Sequence, residues 1–167
     1  MAPTVKRILV PTDFSETADK ALAYAKDLAP KLGASLHLVH VYRDPYVVAA
    51  CAPEVYASVP TDVRERAIEE ARERLFERLD ADEEQRFRGS RGIVRGLIAP
   101  QIVDYAANND IDLIVMGTHG RRGVAHMLLG SVAEHVVRTA ACPVLTVRDE
   151  HADVEERAEA AAETAAA

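Results

Sequence analysis

Leu113-Ile114-Val115-Met116-Gly117-Thr118-His119-Gly120-Arg121-Arg122-Gly123, continued through Val124–Leu129 to Gly130-Ser131, decides how this chain is read. The first four residues form an apolar run of strand length, and beyond Ser131 apolar side chains recur at helical spacing as far as Ala140. A strand, a glycine-rich loop and a helix start together make an anion site. Main-chain N–H groups at the helix start have no intrahelical partner, and the positive end of the helix dipole points the same way. The spacing matches neither the phosphate loop that ends in Gly-Lys-Ser/Thr nor the Gly-x-Gly dinucleotide fingerprint. The chemistry is nevertheless the same, because main chain approaches phosphate closely only where side chains are absent. No acidic residue lies between Leu113 and Ala133, whereas Arg121 and Arg122 stand inside the loop.

Working outward, the start of the chain repeats the strand-then-helix pattern. Lys6–Val10 reads as a strand that Pro11 should end, turning through Thr12-Asp13-Phe14. Ser15 is placed to cap a helix with Glu16 and Asp19 in its first turn. Ala18, Ala21, Leu22, Ala25, Leu28, Ala29 and Leu32 give that helix a narrow apolar face, and Gly33 should close it. Ser35–Tyr42 reads as a second strand, which completes a right-handed βαβ unit.

Residues 43–60 have no clear period and read as an irregular insertion. Asp62 and Glu65 fit a capping box for a helix on which Val63, Ala67, Ala71, Leu75 and Leu79 step by four. Gly92–Arg95 carries the third strand. Pro100 suits the first turn of a helix buried through Ile102, Val103, Tyr105 and Ala106 and ended by Asn108-Asn109-Asp110. Pro143–Arg148 is the fifth strand. From Asp149 the sequence turns acidic and then mostly alanine, so residues 1–148 read as one domain and 149–167 as a disordered tail.

Five strands alternating with four helices predict an α/β fold: a doubly wound, five-stranded parallel sheet in a three-layer, Rossmann-like sandwich. Ligands of such sheets bind beyond the carboxyl ends of the strands, where strand order reverses. Pro11-Thr12-Asp13, Val41-Tyr42 and Gly117–Gly123 all fall on that edge.

Composition narrows the function classes. A formal net charge of -7 over 167 residues argues against gripping nucleic acid, which needs a basic footprint. Two cysteines, Cys51 and Cys142, supply neither a disulfide framework nor a thiol zinc site. No run reaches the ~20 apolar residues that span a bilayer, and Met1–Arg7 does not open a signal peptide. The expectation is a cytoplasmic protein with no membrane association. His37 and His40 alternate with apolar residues and read as satisfied core or edge groups, since spacing supplies no further metal ligands.

Val10-Pro11-Thr12-Asp13-Phe14-Ser15, Leu38-Val39-His40-Val41, Asp112–Gly120, Gly130-Ser131-Val132-Ala133 and Cys142-Pro143-Val144-Leu145 together resemble the universal stress protein family over roughly residues 4 to 148. The glycine pattern resembles that of its ATP-binding branch. The resemblance implies ATP as ligand, with a divalent ion such as Mg or Mn on the phosphates, and a homodimer paired through strand 143–148. It also implies site residues: Pro11, Thr12, Asp13 and the main chain of Val41 around adenine and ribose. Met116, Gly117, His119 and Gly120 would hold ribose and phosphate, and Gly130, Ser131 and Val132 the phosphate end. Ser131 can be a helix cap at the same time.

The expected function is a nucleotide-dependent stress-response dimer acting on an unidentified protein partner. No carboxylate or histidine is placed by the sequence to activate water, and no phosphate-loop lysine is present, so hydrolysis should be slow or partner-dependent. The alternatives are a slow ATP hydrolase and a dimer module that no longer binds nucleotide. A flavodoxin-like electron carrier is disfavoured by the lack of tryptophan.

Overall fold

The computed structural model describes residues 4–43, 60–118 and 129–148. Five strands form one sheet: β1 (Arg7–Thr12), β2 (Ser35–Tyr42), β3 (Ser90–Arg95), β4 (Leu113–Gly117) and β5 (Val144–Val147). Their order is β3-β2-β1-β4-β5 and every pairing is parallel. The chain therefore runs outward from β1 to β3, then crosses back to lay β4 on the other side of β1.

Among the described residues five helices cover this sheet: α1 (Glu16–Leu32), α2 (Thr61–Arg78), α3 (Ala81–Arg86), α4 (Ile98–Asn108) and α5 (Ser131–Thr139). Strand alternation divides the core in two. Ile8, Val10, Leu36, Leu38 and Val115 meet Ala21, Leu22, Ala25 and Ala29 of α1, with Ala71, Leu75 and Leu79 beside them. Leu9, Val39, Val41, Ile114 and Met116 meet Ala99, Ile102 and Ala106 of α4 and Ala133 and Val136 of α5. The result is the expected helix–sheet–helix sandwich.

Both ends of α1 are built as the sequence suggests. Ser15 Oγ accepts from the Ala18 N–H at 3.3 Å, and Gly33 adopts the left-handed conformation (φ 66°) that lets the chain turn away. Four local expectations are corrected. Pro11 does not end β1, which stays in register with β2 through Thr12–His40. The proline is tolerated because the paired register with β4 stops at Leu9–Ile114, which leaves no neighbour on that side to receive an N–H. The Asp62–Glu65 capping box does not form: Pro60 precedes α2 and no side chain caps it, while Val63 is half exposed and Ile68 takes the buried place. α3 was not expected; Asp80 caps it through the Glu83 N–H at 2.8 Å. Finally, Ser131 is the first helical residue of α5 and Gly130 is its cap.

Candidate functional site

Because all five strands run the same way, the ends of β1, β2 and β4 reach one edge of the sheet together with the start of α5. The β1–β4 register closes at Leu9–Ile114, whereas β1 continues beside β2 to Thr12 and β4 beside β5 to Gly117. β1 and β4 thus part before either ends. This parting lies where strand order reverses and makes the crevice that such sheets use.

On the β1 side the chain folds tightly. Thr12 is buried, and its Oγ1 accepts the Phe14 N–H at 2.9 Å. Asp13 Oδ1 accepts from the Ser15 N–H at 3.0 Å and from Ser15 Oγ at 2.6 Å, an Asx-type turn that leads into α1. Phe14 sits between these bonds at φ 65°, a left-handed conformation rare for a bulky residue. Its N–H turns to Thr12 and not onward to β2. β2 itself continues to Tyr42, so the main chain at Val41 stands beyond the last paired residue of β1. His40 Nδ1 lies 2.8 Å from the Thr12 carbonyl oxygen and donates to it.

On the other side of the crevice Thr118 holds the base of the glycine-rich loop. Its N–H donates to the Val147 carbonyl at 2.9 Å, and its carbonyl accepts the Gly130 N–H at 2.8 Å. Gly130 is extended (φ -68°, ψ 153°) and has no side chain with which to cap α5. Two helices therefore begin at the crevice in opposite states: α1 is capped by its own Ser15, while among the described residues no side chain caps the first turn of α5 at Ser131, Val132 and Ala133. Val41, Met116 and Ala133 belong to one buried cluster, with Val132 and Leu129 packed against it, so the crevice has an apolar floor.

The fold brings Pro11, Thr12, Asp13, Val41, Met116, Gly117, Gly130, Ser131 and Val132 to this single edge. His119 and Gly120 lie outside the described residues, as do Arg121 and Arg122. Sequence reasoning missed Thr118 as the tie between β5 and α5, and Phe14 as an anchored residue. The first could have been suspected as the only residue separating β4 from the loop; no sequence signal marks the second.

Other chemically interesting groups lie elsewhere. His37, near the opposite edge, has Nδ1 3.2 Å from Tyr105 Oη and 3.1 Å from Ser90 Oγ. Burial and then the nearby Arg7 charge push its pKa below 6.5. Cys142 precedes β5, and burial chiefly raises its thiol pKa. Among the described residues no group of three or more His, Cys, Asp or Glu could hold a metal ion, and no helix is long and apolar enough to cross a membrane.

The sequence model described as "Universal stress protein family" matches residues 4–148. The chain belongs to the universal stress protein family. Universal stress protein MJ0577 of Methanocaldococcus jannaschii is 32% identical over 158 residues, covering 89% of this chain and 98% of that protein. The solved MJ0577 structure superposes with a TM-score of 0.74 at 31% identity, covering 88% of this chain and 98% of that one. A universal stress protein from Archaeoglobus fulgidus, solved in complex with dAMP, matches at TM-score 0.58 and 25% identity, with 86% and 98% of the two chains covered. Family members that share this sheet thus include one that holds an adenine nucleotide.

Proposed function

We propose that this universal stress protein binds ATP in the crevice between β1 and β4 and works as a nucleotide-dependent regulatory homodimer in the stress response. One observation carries the reading: α5 starts at the crevice behind Gly130 with no side-chain cap among the described residues, beside an α1 that is already capped. A phosphate is the natural acceptor for the first-turn N–H groups of Ser131, Val132 and Ala133, which have no intrahelical partner. The main chain at Val41, with Pro11 and Asp13, then faces the base and ribose, and Met116, Gly117, His119 and Gly120 serve the ribose and phosphates. The dAMP bound by the Archaeoglobus relative supports an adenine nucleotide over a bare anion. A divalent ion, Mg or Mn, would ride on the phosphates, whose oxygens are hard ligands suited to such ions.

The dimer would form along β5, which pairs with β4 on one side and ends the described sheet on the other. An edge without lysine or internal proline invites a second copy. The proposed role is occupancy and not turnover, exerted in the cytoplasm on a protein partner.

Calorimetry with ATP on the native chain and on Gly130→Asp tests the ligand. The aspartate suits the extended cap and favours the helix dipole, so the variant should fold at least as well while its carboxylate repels phosphate. We expect measurable ATP binding by the native protein and its loss in the variant. No binding by the native protein overturns the proposal, and rapid steady-state phosphate release would replace it with a hydrolase.

A further inference from the structure

Phe14 is anchored more heavily than a turn residue needs to be. A left-handed conformation is unfavourable for a non-glycine residue, and strain of this kind persists only where the surroundings impose it. Here they come from three elements. The His40 ring of β2 stacks on the Phe14 ring with centroids 4.5 Å apart and planes 29° from parallel. The Arg74 guanidinium of α2 lies 4.2 Å from the ring centroid, and Arg74 Nη2 reaches the Phe14 carbonyl at 3.4 Å. Arg78, one turn further along α2, stands 5.1 Å from the ring and is itself fixed by Asp19 of α1 through two hydrogen bonds of 2.6 and 2.9 Å.

The two neighbours of Phe14 on the chain belong to the turn at the proposed ligand edge: Asp13 before it and the α1 cap Ser15 after it, joined by the Ser15 N–H and Oγ bonds to Asp13 Oδ1. We infer that Phe14 is a positioning residue for nucleotide, its ring held by His40 and Arg74 so that residue 14 stays left-handed and Asp13 is aimed at the crevice. The inference rests on the nucleotide reading above and extends it to a residue of α2 that the crevice itself does not contain. Cation and ring are attracted through the ring quadrupole, and aromatic stacking adds to that, so these contacts oppose relaxation of the backbone to negative φ.

Calorimetric ATP titrations of the native chain, Phe14→Ala, Arg74→Ala, Arg74→Lys and the Phe14→Ala/Arg74→Ala double variant test it, each well below its melting temperature. Phe14→Ala should weaken ATP about tenfold. Arg74→Ala should weaken it less, Arg74→Lys should recover most of the loss by restoring a cation over the ring, and the double variant should bind no worse than Phe14→Ala alone. Native affinity in Phe14→Ala, or losses that simply add in the double variant, overturn the inference while leaving the nucleotide reading intact. Absence of ATP binding by the native chain overturns both. Should Phe14→Ala fail to fold, the Arg74 pair decides: unchanged affinity in Arg74→Ala refutes the clamp, and weakened affinity rescued by lysine upholds it.

Discussion

A β-carbon on Gly117, the last residue of β4, would stand 2.9 Å from Cγ2 of Thr17 and 3.2 Å from the main-chain carbon and oxygen of the same threonine in the first turn of α1. The threonine methyl can turn aside, but its main chain cannot. Gly117→Ala should therefore destabilise the fold by about 1–3 kcal/mol through overpacking, seen as a lower urea midpoint at unchanged slope. An unaltered midpoint would show that α1 can give way. Substitution here tests the packing of β4 on α1 first and any ligand second, which is why Gly130, extended and free of left-handed strain, is the cleaner probe of the crevice.

Lys26 spends all three of its hydrogens between helices: two on Glu83 of α3, at 2.7 and 2.8 Å, and one on the Arg78 carbonyl at the end of α2, at 2.7 Å. Charge-assisted bonds of this kind exceed the worth of an exposed pair, because the lysine side chain is only 23% exposed and its geometry is shared with a helix terminus. Lys26→Met should cost about 1–2 kcal/mol in thermal or urea unfolding. The effect should exceed that of removing the exposed Arg72–Glu69 pair, for which about 0.5 kcal/mol or less is expected. Equal effects of the two would contradict the assignment.

Acid should weaken the fold through His37. Its folded pKa lies below 6.5, so the unfolded chain takes up the proton first. Stability is then unaffected by this group above pH 6.5, falls as pH drops from 6.5 through the depressed folded value, and levels off below it. Nδ1 can accept from Tyr105 Oη or from Ser90 Oγ only while it is unprotonated, which gives the shift a structural meaning. Urea midpoints at pH 7.5 and 5.5 should separate more for the native protein than for His37→Gln; identical separations would remove the group from account.

For assembly, sedimentation velocity should find a species of twice 18.2 kDa. Thr146→Lys should shift it toward the monomer, because a charge on an open strand edge opposes pairing with a second copy. A native monomer at high micromolar concentration would exclude the β5 dimer.

How much of this was legible depended on whether a residue's role is set by its neighbours in sequence. Ser15 and Gly33 act on the helix they bound, and both were read correctly from α1 alone. β4 and the parallel, doubly wound character of the sheet follow from apolar runs and crossover rules, which are likewise local and general, whereas the order β3-β2-β1-β4-β5 comes from the structure. Ser90 and Arg91 were not assigned to β3, since glycines at 89 and 92 and repeated arginines blur the period. Their strand character comes from pairing with His37 and Leu38. The strand status of Pro11 depends on how far β4 accompanies β1, which no local pattern reports. At the site, the residues of the crevice were found through resemblance and loop position. The clamp on Phe14 joins positions 14, 40 and 74, and nothing in the sequence announces that they meet.

Thr118 closes the base of the glycine-rich loop by accepting from Gly130 at 2.8 Å while donating to β5 at 2.9 Å. A loop tied at its root places little entropic demand on what it encloses, because its ends are already together. The tie between Thr118 and Gly130 therefore holds the end of β4 and the start of α5 together through main-chain atoms alone, whatever side chains stand at the two positions. Sheet edge and helix start are thus one mechanical unit, so a strain applied at β5 reaches the first turn of α5 through a single residue.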